Sequence, residues 1–144
     1  MEAQSRIDVT KGFPIIWPQD ERFDRALGSR IFNHRRPSRN PVAIVNAASE
    51  DEVKKAVKLS KELNCKVSVR SGGHSWAAWS VRDNAILIDL GELDTLSFND
   101  ATGIVKVAPA VTAERLNSFL SAKDRMFNGP HCPTVGLGGF LYFA

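Results

Sequence analysis

Cysteines, long apolar runs and internal repeats are scarce or missing in this sequence of 144 residues, and each absence excludes a class of protein. Two cysteines cannot form a disulfide framework. No segment approaches the roughly 18 consecutive apolar residues of a membrane helix, and residues 1–8 lack the apolar core of a secretory signal. Apolar residues make up 43% and charged residues 24%, which is typical of a globular protein rather than a disordered one. The sequence therefore predicts one globular domain in the cytoplasm.

The net charge of +3 raises the question of nucleic-acid binding. The basic excess lies in the first half of the chain, and its densest stretch contains Arg30, Arg35, Arg36 and Arg39. No aromatic platform or nucleic-acid motif accompanies these arginines, so the stretch is interpreted as a solvated loop. A basic nucleic-acid-binding module stays open as an alternative.

The apolar periodicity predicts a βαβ unit early in the chain. Pro41 leads into a β-branched run at residues 42–45, which indicates a buried strand. Ser49 and Glu52 have the spacing of a capping box and begin a helix, and residues 66–70 alternate like a second strand.

The fold class predicted from these patterns is α+β, a βαβ unit followed by a small mixed sheet with one helix. The other predicted elements are a helix over residues 20–27, a strand over 85–90, a hairpin formed by 95–98 and 104–107, and a helix capped by Thr112 that buries Leu116, Phe119 and Leu120. The predicted division is an N-terminal extension with the basic loop, residues 1–36, and a domain over residues 37–144. The apolar end of the chain suggests the N-terminal part of a longer protein.

Two glycine-containing segments are the candidates for chemistry, and the first follows the predicted strand 66–70. Glycines such as Gly72 and Gly73 at a strand end let successive backbone N–H groups converge on an anion. Ser71 and Ser75 add hydroxyl groups, and His74 faces whatever the loop would hold. The alternative is a tight loop whose glycines only permit positive φ angles.

The second segment, residues 128–140, combines glycines, two prolines and the adjacent pair His131 and Cys132. A histidine beside the thiol could lower the pKa of Cys132, and the glycines leave room for a flat or charged ligand. The glycine spacing is not that of the dinucleotide-binding fingerprint. Since His34 and Cys65 add no metal-ligand spacing, the sequence predicts no metal site. Spacing alone favours a packing loop here.

Taken together, the two segments resemble a known family. Residues 69–76 (Val-Arg-Ser-Gly-Gly-His-Ser-Trp) and 129–140 (Gly-Pro-His-Cys-Pro-Thr-Val-Gly-Leu-Gly-Gly-Phe) are similar to motifs of FAD-linked oxidases of the vanillyl-alcohol oxidase superfamily, in the berberine-bridge-enzyme-like and oligosaccharide-oxidase branch. The resemblance covers residues 18–141. It implies the N-terminal part of a PCMH-type FAD-binding domain. It also implies an oxidase that takes a hydride from an alcohol, sugar or alkaloid carbon to flavin N5 and passes the electrons to oxygen, giving hydrogen peroxide.

The resemblance also implies roles for individual residues. The loop 70–75 would wrap the FAD pyrophosphate through its backbone amides, while His74 would bond to the 8α carbon of the flavin and Cys132 to C6. Val135 falls where the family has a gate for oxygen, and valine there is typical of oxidases. The residues implied at the cofactor are Arg70, Ser71, Gly72, Gly73, His74, Ser75, Cys132, Thr134, Val135, Gly136, Gly138 and Gly139.

Phe140 departs from the family pattern, in which a histidine or a tyrosine at this position places a polar side chain near the flavin. The family's catalytic base comes from segments that this chain does not contain, so the chain alone is expected to be inactive. A truncated, non-catalytic FAD-binding fragment is therefore a second alternative. The resemblance implies a small-molecule substrate and oxygen as partners, with no nucleic acid and no membrane. The substrate and the oligomeric state stay open, and so does the location, because many relatives are exported.

The remaining candidates are predicted to be structural. They are Asp89 as a turn acceptor rather than a base, Cys65 as a core residue, His34 and His131 as loop residues, and Trp76 and Trp79 as residues that pack under the flavin or close the core.

Overall fold

The computed structural model describes residues 12–143, and within that range it shows two packed units of sheet and helix. The part of the predicted N-terminal extension before residue 12 lies outside the described residues. No helix in the described range is both long and apolar enough to span a membrane.

The first unit is a four-stranded sheet with a helix on each face. Its strands lie in the order β1 (Ile15–Ile16), β2 (Ala43–Asn46), β4 (Ala85–Asp89) and β3 (Lys66–Arg70), and only the β1–β2 pair is antiparallel. Helix α1 (Phe23–Gly28) covers one face and helix α2 (Glu50–Glu62) the other. Both faces of β4 are therefore buried, which explains why its sequence is continuously apolar up to Asp89.

Side chains alternate between the two faces along β2 and β4. Ile44 and Leu87 pack with Phe23 and Leu27 of α1, and also with Ile31 in the segment that follows α1. On the opposite face, the core beneath α2 contains Val45, Ala56, Ile86 and Ile88, with Cys65 packed against it as predicted. Residues 15–31, part of the predicted extension, thus contribute to the core of this unit.

The helix α2 begins as its sequence predicts. The Ser49 hydroxyl accepts a hydrogen bond from the backbone N–H of Glu52 at 3.3 Å, and the Glu52 carboxylate accepts one from Ala48 N–H at 2.7 Å. The first bond satisfies one of the N–H groups that a helix start leaves without partners, and the second fixes the residue before the cap. Val57 in this helix is 36% exposed.

Three elements differ from the sequence prediction. The strand β1 was not predicted, because two residues carry no alternation signal. Helix α1 begins at Phe23 rather than residue 20, because the Asp20 carboxylate binds the backbone N–H and guanidinium of Arg22 in a turn before the helix. The mixed sheet is the first one, because β1 pairs antiparallel with β2 while β2, β4 and β3 are parallel. Its strand β4 inserts between β2 and β3 instead of following them in a separate sheet.

The second unit is an antiparallel hairpin, β5 (Leu96–Asn99) and β6 (Ile104–Val107), packed with helices α3 (Ala113–Ser121) and α4 (Leu137–Phe143). The hairpin and the cap of α3 match the prediction, with the Thr112 hydroxyl accepting from Arg115 N–H at 3.3 Å. Helix α4 was not predicted, because its two glycines favour a loop. Leu137 anchors α4 in the core formed by Val111, Leu116 and Leu120.

Candidate functional site

The first glycine segment begins at a buried ion pair. Arg70, at the end of β3, is 2% exposed and donates from Nε and Nη2 to the Asp89 carboxylate at 2.9 and 2.6 Å. It also donates to the carbonyls of Leu27 and Ala26 at the end of α1, both at 2.6 Å. All the hydrogen bonds of the Arg70 guanidinium are thus made within the fold, so only the backbone of this residue is available to contact a cofactor.

The same carboxylate holds a second arginine. The Arg30 guanidinium donates to Asp89 and also to the carbonyl of Ser71, in the first glycine segment. Asp89 Oδ1 accepts a further hydrogen bond from Gly91 N–H at 2.9 Å, which confirms its predicted role as a turn acceptor. Asp89 therefore links the ends of β3 and β4 to the backbone of the candidate loop.

Gly73 is the position in this loop where glycine is required. Its φ angle is +72°, and a Cβ atom there would lie 1.6 Å from the carbonyl oxygen of Arg30. Gly73 O also accepts a hydrogen bond from Phe32 N–H at 3.2 Å. The segment from Arg30 to Phe32 thus supports the back of the loop.

The two glycine segments cross at Gly72 and Gly136. A Cβ atom on Gly72 would lie 2.4 Å from Gly136 N, and one on Gly136 would lie 2.7 Å from Gly72 Cα. Gly138 lies close by, where an added Cβ would meet Pro109 at 2.7 Å and the Ser71 hydroxyl at 3.1 Å. The glycines therefore bring two backbones together that are more than sixty residues apart in the chain.

His74 lies at the contact between the two segments. Its imidazole stacks on the Phe32 ring with a centroid distance of 4.7 Å and an angle of 11°. Its Nε2 lies 2.9 Å from the Thr134 hydroxyl, at hydrogen-bond distance. The plane of the ring and one of its nitrogens are fixed by these contacts, and Nδ1 makes no hydrogen bond to a described residue.

The loop backbone also has the character of an anion-binding nest. The N–H groups of Gly73, His74 and Ser75 make no hydrogen bond to any residue that the structure describes. By contrast, Gly72 N–H donates to the Ser71 hydroxyl at 2.7 Å. Successive free N–H groups at the end of a strand are the arrangement that proteins use to bind phosphate.

A cavity of about 1000 Å³ opens beside this loop. Its volume lies at the upper end of the range of about 300–1,000 Å³ that is usual for small-molecule sites. Its wall is formed by β3, the loop 71–75, residues 79–82 and parts of the second segment, including Val135, Gly136, Gly139, Phe140 and Tyr142. Ser68 Oγ, on this wall, is buried without a hydrogen-bond partner in the described structure.

The predicted cofactor residues divide into three groups around this cavity. Those that line it are Arg70, Ser71, Gly72, Gly73, His74, Ser75, Val135, Gly136 and Gly139. Thr134 and Gly138 are not among the lining residues, but they lie against His74 and Ser71 respectively. Cys132 is exposed and is not among the lining residues.

Several contributors to the site were not predicted. Arg30 and Phe32 carry no motif, and their roles come only from the tertiary contacts with the loop.

Trp79 lines the cavity and is 60% exposed, and Trp76 is 81% exposed, so neither closes the core. The Cys65 thiol behaves as a core group, because burial raises its pKa above the ordinary 9.0.

The basic stretch is only partly the solvated loop that the sequence predicts, because Arg30 and Arg39 are half-buried and bound to the fold whereas Arg35 and Arg36 are exposed. Arg30 binds Asp89, and Arg36 donates to the Asp24 carboxylate at 2.5 Å. Arg39 donates to the carbonyls of residues 77, 78 and 81. Among the arginines of this stretch, only the Arg35 side chain has no hydrogen bond or ion pair within the described part of the chain.

Comparison with known proteins gives consistent matches. A family described as "FAD binding domain" matches residues 41–142. The chain is 46% identical over 132 residues to the FAD-linked oxidoreductase janO of Penicillium janthinellum, covering 89% of this chain and 29% of that protein. It is 34% identical over 132 residues to a carbohydrate oxidase of Microdochium nivale, covering 89% of this chain and 26% of that protein.

The same fold occurs in solved structures. The carbohydrate oxidase of Microdochium nivale superposes with a TM-score of 0.76 at 29% identity, over 96% of this chain and 29% of that one. The BBE-like 1 protein of Physcomitrella patens gives a TM-score of 0.79 at 23% identity, over 96% of this chain and 30% of that one. The chain spans less than a third of the length of the curated relatives it matches.

Proposed function

This chain belongs to the FAD-binding domain family, and from that premise we propose that its cavity beside His74 holds FAD for an FAD-linked oxidoreductase. The observation that carries the proposal is the crossing of Gly72 and Gly136, which places both glycine segments on one cavity. The unpaired N–H groups of residues 73–75 suit the diphosphate of FAD.

The position of His74 on the cavity wall also suits a covalently held flavin. His74 is fixed by Phe32 and Thr134 with Nδ1 unoccupied, so this nitrogen is the one available for a bond to the 8α carbon. An imidazole nitrogen and a thiolate are the side-chain groups suited to add to an electron-poor ring. We propose that Cys132, which is exposed in the second segment, supplies the second bond, to C6. Each of the two bonds replaces a hydrogen on the protein atom and one on the flavin, and the two electrons released pass to oxygen.

The reaction we propose for the whole protein is an oxidation at an alcohol, sugar or alkaloid carbon. FAD held beside His74 would supply hydride acceptance at N5 and electron transfer to oxygen, giving hydrogen peroxide. This chain would bind and orient the flavin, with Val135 beside it on the cavity wall. None of the described lining residues is an aspartate or glutamate, and Asp89 is committed to two arginines. We therefore expect no turnover from these 144 residues alone.

The test is an intact-mass spectrum of the denatured chain after expression with ample riboflavin, followed by peptide mapping. We expect a mass increase of one FAD less the two hydrogens lost on forming each covalent bond, with the flavin on peptides containing His74 and Cys132. The variants H74A and C132A should each leave a single attachment, whereas the matched variants H34N and C65A should behave like the unsubstituted chain. Unmodified protein without flavin absorbance would contradict FAD binding, and an adduct on one residue only would contradict the double attachment.

A further inference from the structure

The charge on the cavity wall is unbalanced. Of the described lining residues, only Arg70 and Arg82 are charged, and none carries a carboxylate. Asp89 neutralises Arg70. Arg82 is exposed and makes no ion pair or hydrogen bond with any described residue. The wall therefore presents one uncompensated positive charge, as a site for an anionic ligand requires.

Arg82 is held in place by an aromatic ring. Its guanidinium carbon lies 5.0 Å from the centroid of the Trp79 ring. Trp79 N–H donates to the Ser75 hydroxyl at 3.0 Å, which ties the tryptophan to the end of the glycine loop. Arg39 also lies near this ring, at 5.7 Å, but its guanidinium donates to three backbone carbonyls and so fixes the segment 77–81.

The two arginines around Trp79 thus have different roles. Arg39 uses its N–H groups to brace the backbone, whereas those of Arg82 have no partner. A guanidinium stacked on an aromatic ring keeps its in-plane N–H donors available, and their fork geometry matches two phosphate oxygens. Arg82 is therefore available to receive a phosphate in the same cavity as the unpaired N–H groups of residues 73–75.

We infer that Arg82, held on Trp79, contacts the diphosphate of FAD and makes the cavity prefer the dinucleotide to riboflavin. This inference rests on the proposed function, because it takes FAD as the ligand. Riboflavin lacks the diphosphate, so it gains nothing from Arg82. The free energy from the charged contact therefore appears as a difference in affinity between the two flavins.

The experiment measures dissociation constants by titration calorimetry on protein expressed without riboflavin, with FAD, ADP and riboflavin as ligands. All proteins compared carry H74A and C132A, so that no flavin becomes covalently attached during the titration. ADP carries the diphosphate without a flavin, so it reports on this part of the cavity separately. The variants are R82Q, which removes the charge, and R82K, which keeps the charge but loses the fork. R35Q is the matched control, because it removes an exposed arginine without side-chain partners from another surface. Circular dichroism checks that all variants are folded.

We expect R82Q to weaken the binding of FAD and ADP by about 5- to 30-fold, the effect of losing one charge-assisted contact. R82K should lie between R82Q and the unsubstituted chain, and riboflavin binding should be the same in all. Higher salt should weaken FAD binding to the unsubstituted chain more than to R82Q.

Three results would overturn the inference, and they differ in what they say of the proposed function. Equal affinity of R82Q and the unsubstituted chain for FAD and ADP would refute the role of Arg82 and leave FAD binding standing. Equal loss of FAD and riboflavin affinity would mean that Arg82 shapes the cavity without contacting phosphate. Binding of none of the three ligands by the unsubstituted chain would refute the inference and the proposed function together.

Discussion

Replacing Gly72 by alanine tests the crossing on which the site depends. The new Cβ atom would lie 2.4 Å from Gly136 N, whereas ordinary contacts begin at 3.4 Å, so one backbone must move by about 1 Å. Overpacking in a well-packed region costs about 1–3 kcal/mol. Because the obstructing atoms are backbone and cannot rotate away, we expect G72A to lose about 3 kcal/mol of unfolding free energy. For a domain of this size that lowers Tm by about 10 °C.

Urea unfolding followed by circular dichroism measures this loss, and the slope with denaturant should stay unchanged. Gly139 provides the matched control, since a Cβ there meets nothing within 4 Å and the residue lies in helix α4. We expect G139A to be stabilised by about 0.5–1 kcal/mol, so that the two substitutions differ in sign. A G72A protein within about 0.5 kcal/mol of the unsubstituted chain would refute the close approach.

A second pair of substitutions tests the same contact from both sides. G136A creates a clash with Gly72 Cα at 2.7 Å, at the same crossing. One displacement of the two backbones relieves both clashes. The double variant should therefore lose less stability than the two single losses combined. Full additivity would mean that the two glycines do not share a contact.

Three further predictions concern charge and stacking. D89N leaves the buried Arg70 guanidinium without a counter-charge and should lower the free energy of unfolding by about 3–5 kcal/mol in the same urea assay. An unchanged unfolding midpoint would count against the ion pair. Hydrogen bonds from Arg22 lower the pKa of Asp20 from 3.8 to about 2. The stability that this pair contributes is therefore present above pH 3.8 and is lost as the pH falls through about 2. Carboxyl NMR should give a titration midpoint of about 2 for Asp20, and a midpoint near 3.8 would disprove the pairing. F32L should lower the fraction of chains with flavin on His74 while F32Y preserves it, as measured by peptide mapping, and equal fractions in both variants would exclude a role for stacking.

Local signals in the sequence predicted the elements that depend on local interactions. The cap of α2 follows from the spacing of Ser49 and Glu52, and the hairpin follows from two short apolar runs around a turn. The two glycine segments were identified from their residues, and the match to the FAD-binding domain family confirms the family assignment. The attachment of flavin to His74 and Cys132 stays a prediction.

Contacts between distant parts of the chain could not be predicted in the same way. Arg30 belongs to a basic stretch whose composition suggests a solvated loop, yet its guanidinium binds Asp89, 59 residues away. Helix α4 begins with Leu-Gly-Gly, which disfavours a helix in isolation, and it forms against the core through Leu137. In both cases the observed structure depends on tertiary packing that no local sequence pattern predicts.

The position of β4 between β2 and β3 has a consequence for the order of folding. β2 and β3 do not hydrogen-bond to each other, because each pairs with β4. Since β4 is the last of the three strands to be synthesised, neither β2 nor β3 can form its parallel pairing before β4 has been made. A nascent chain that ends before residue 85 exposes two strands with no parallel partner, and α2 has only half a sheet to pack on. We expect such chains to be sensitive to proteases and prone to aggregation, with protection of the β2 and β3 amides appearing together once β4 is available.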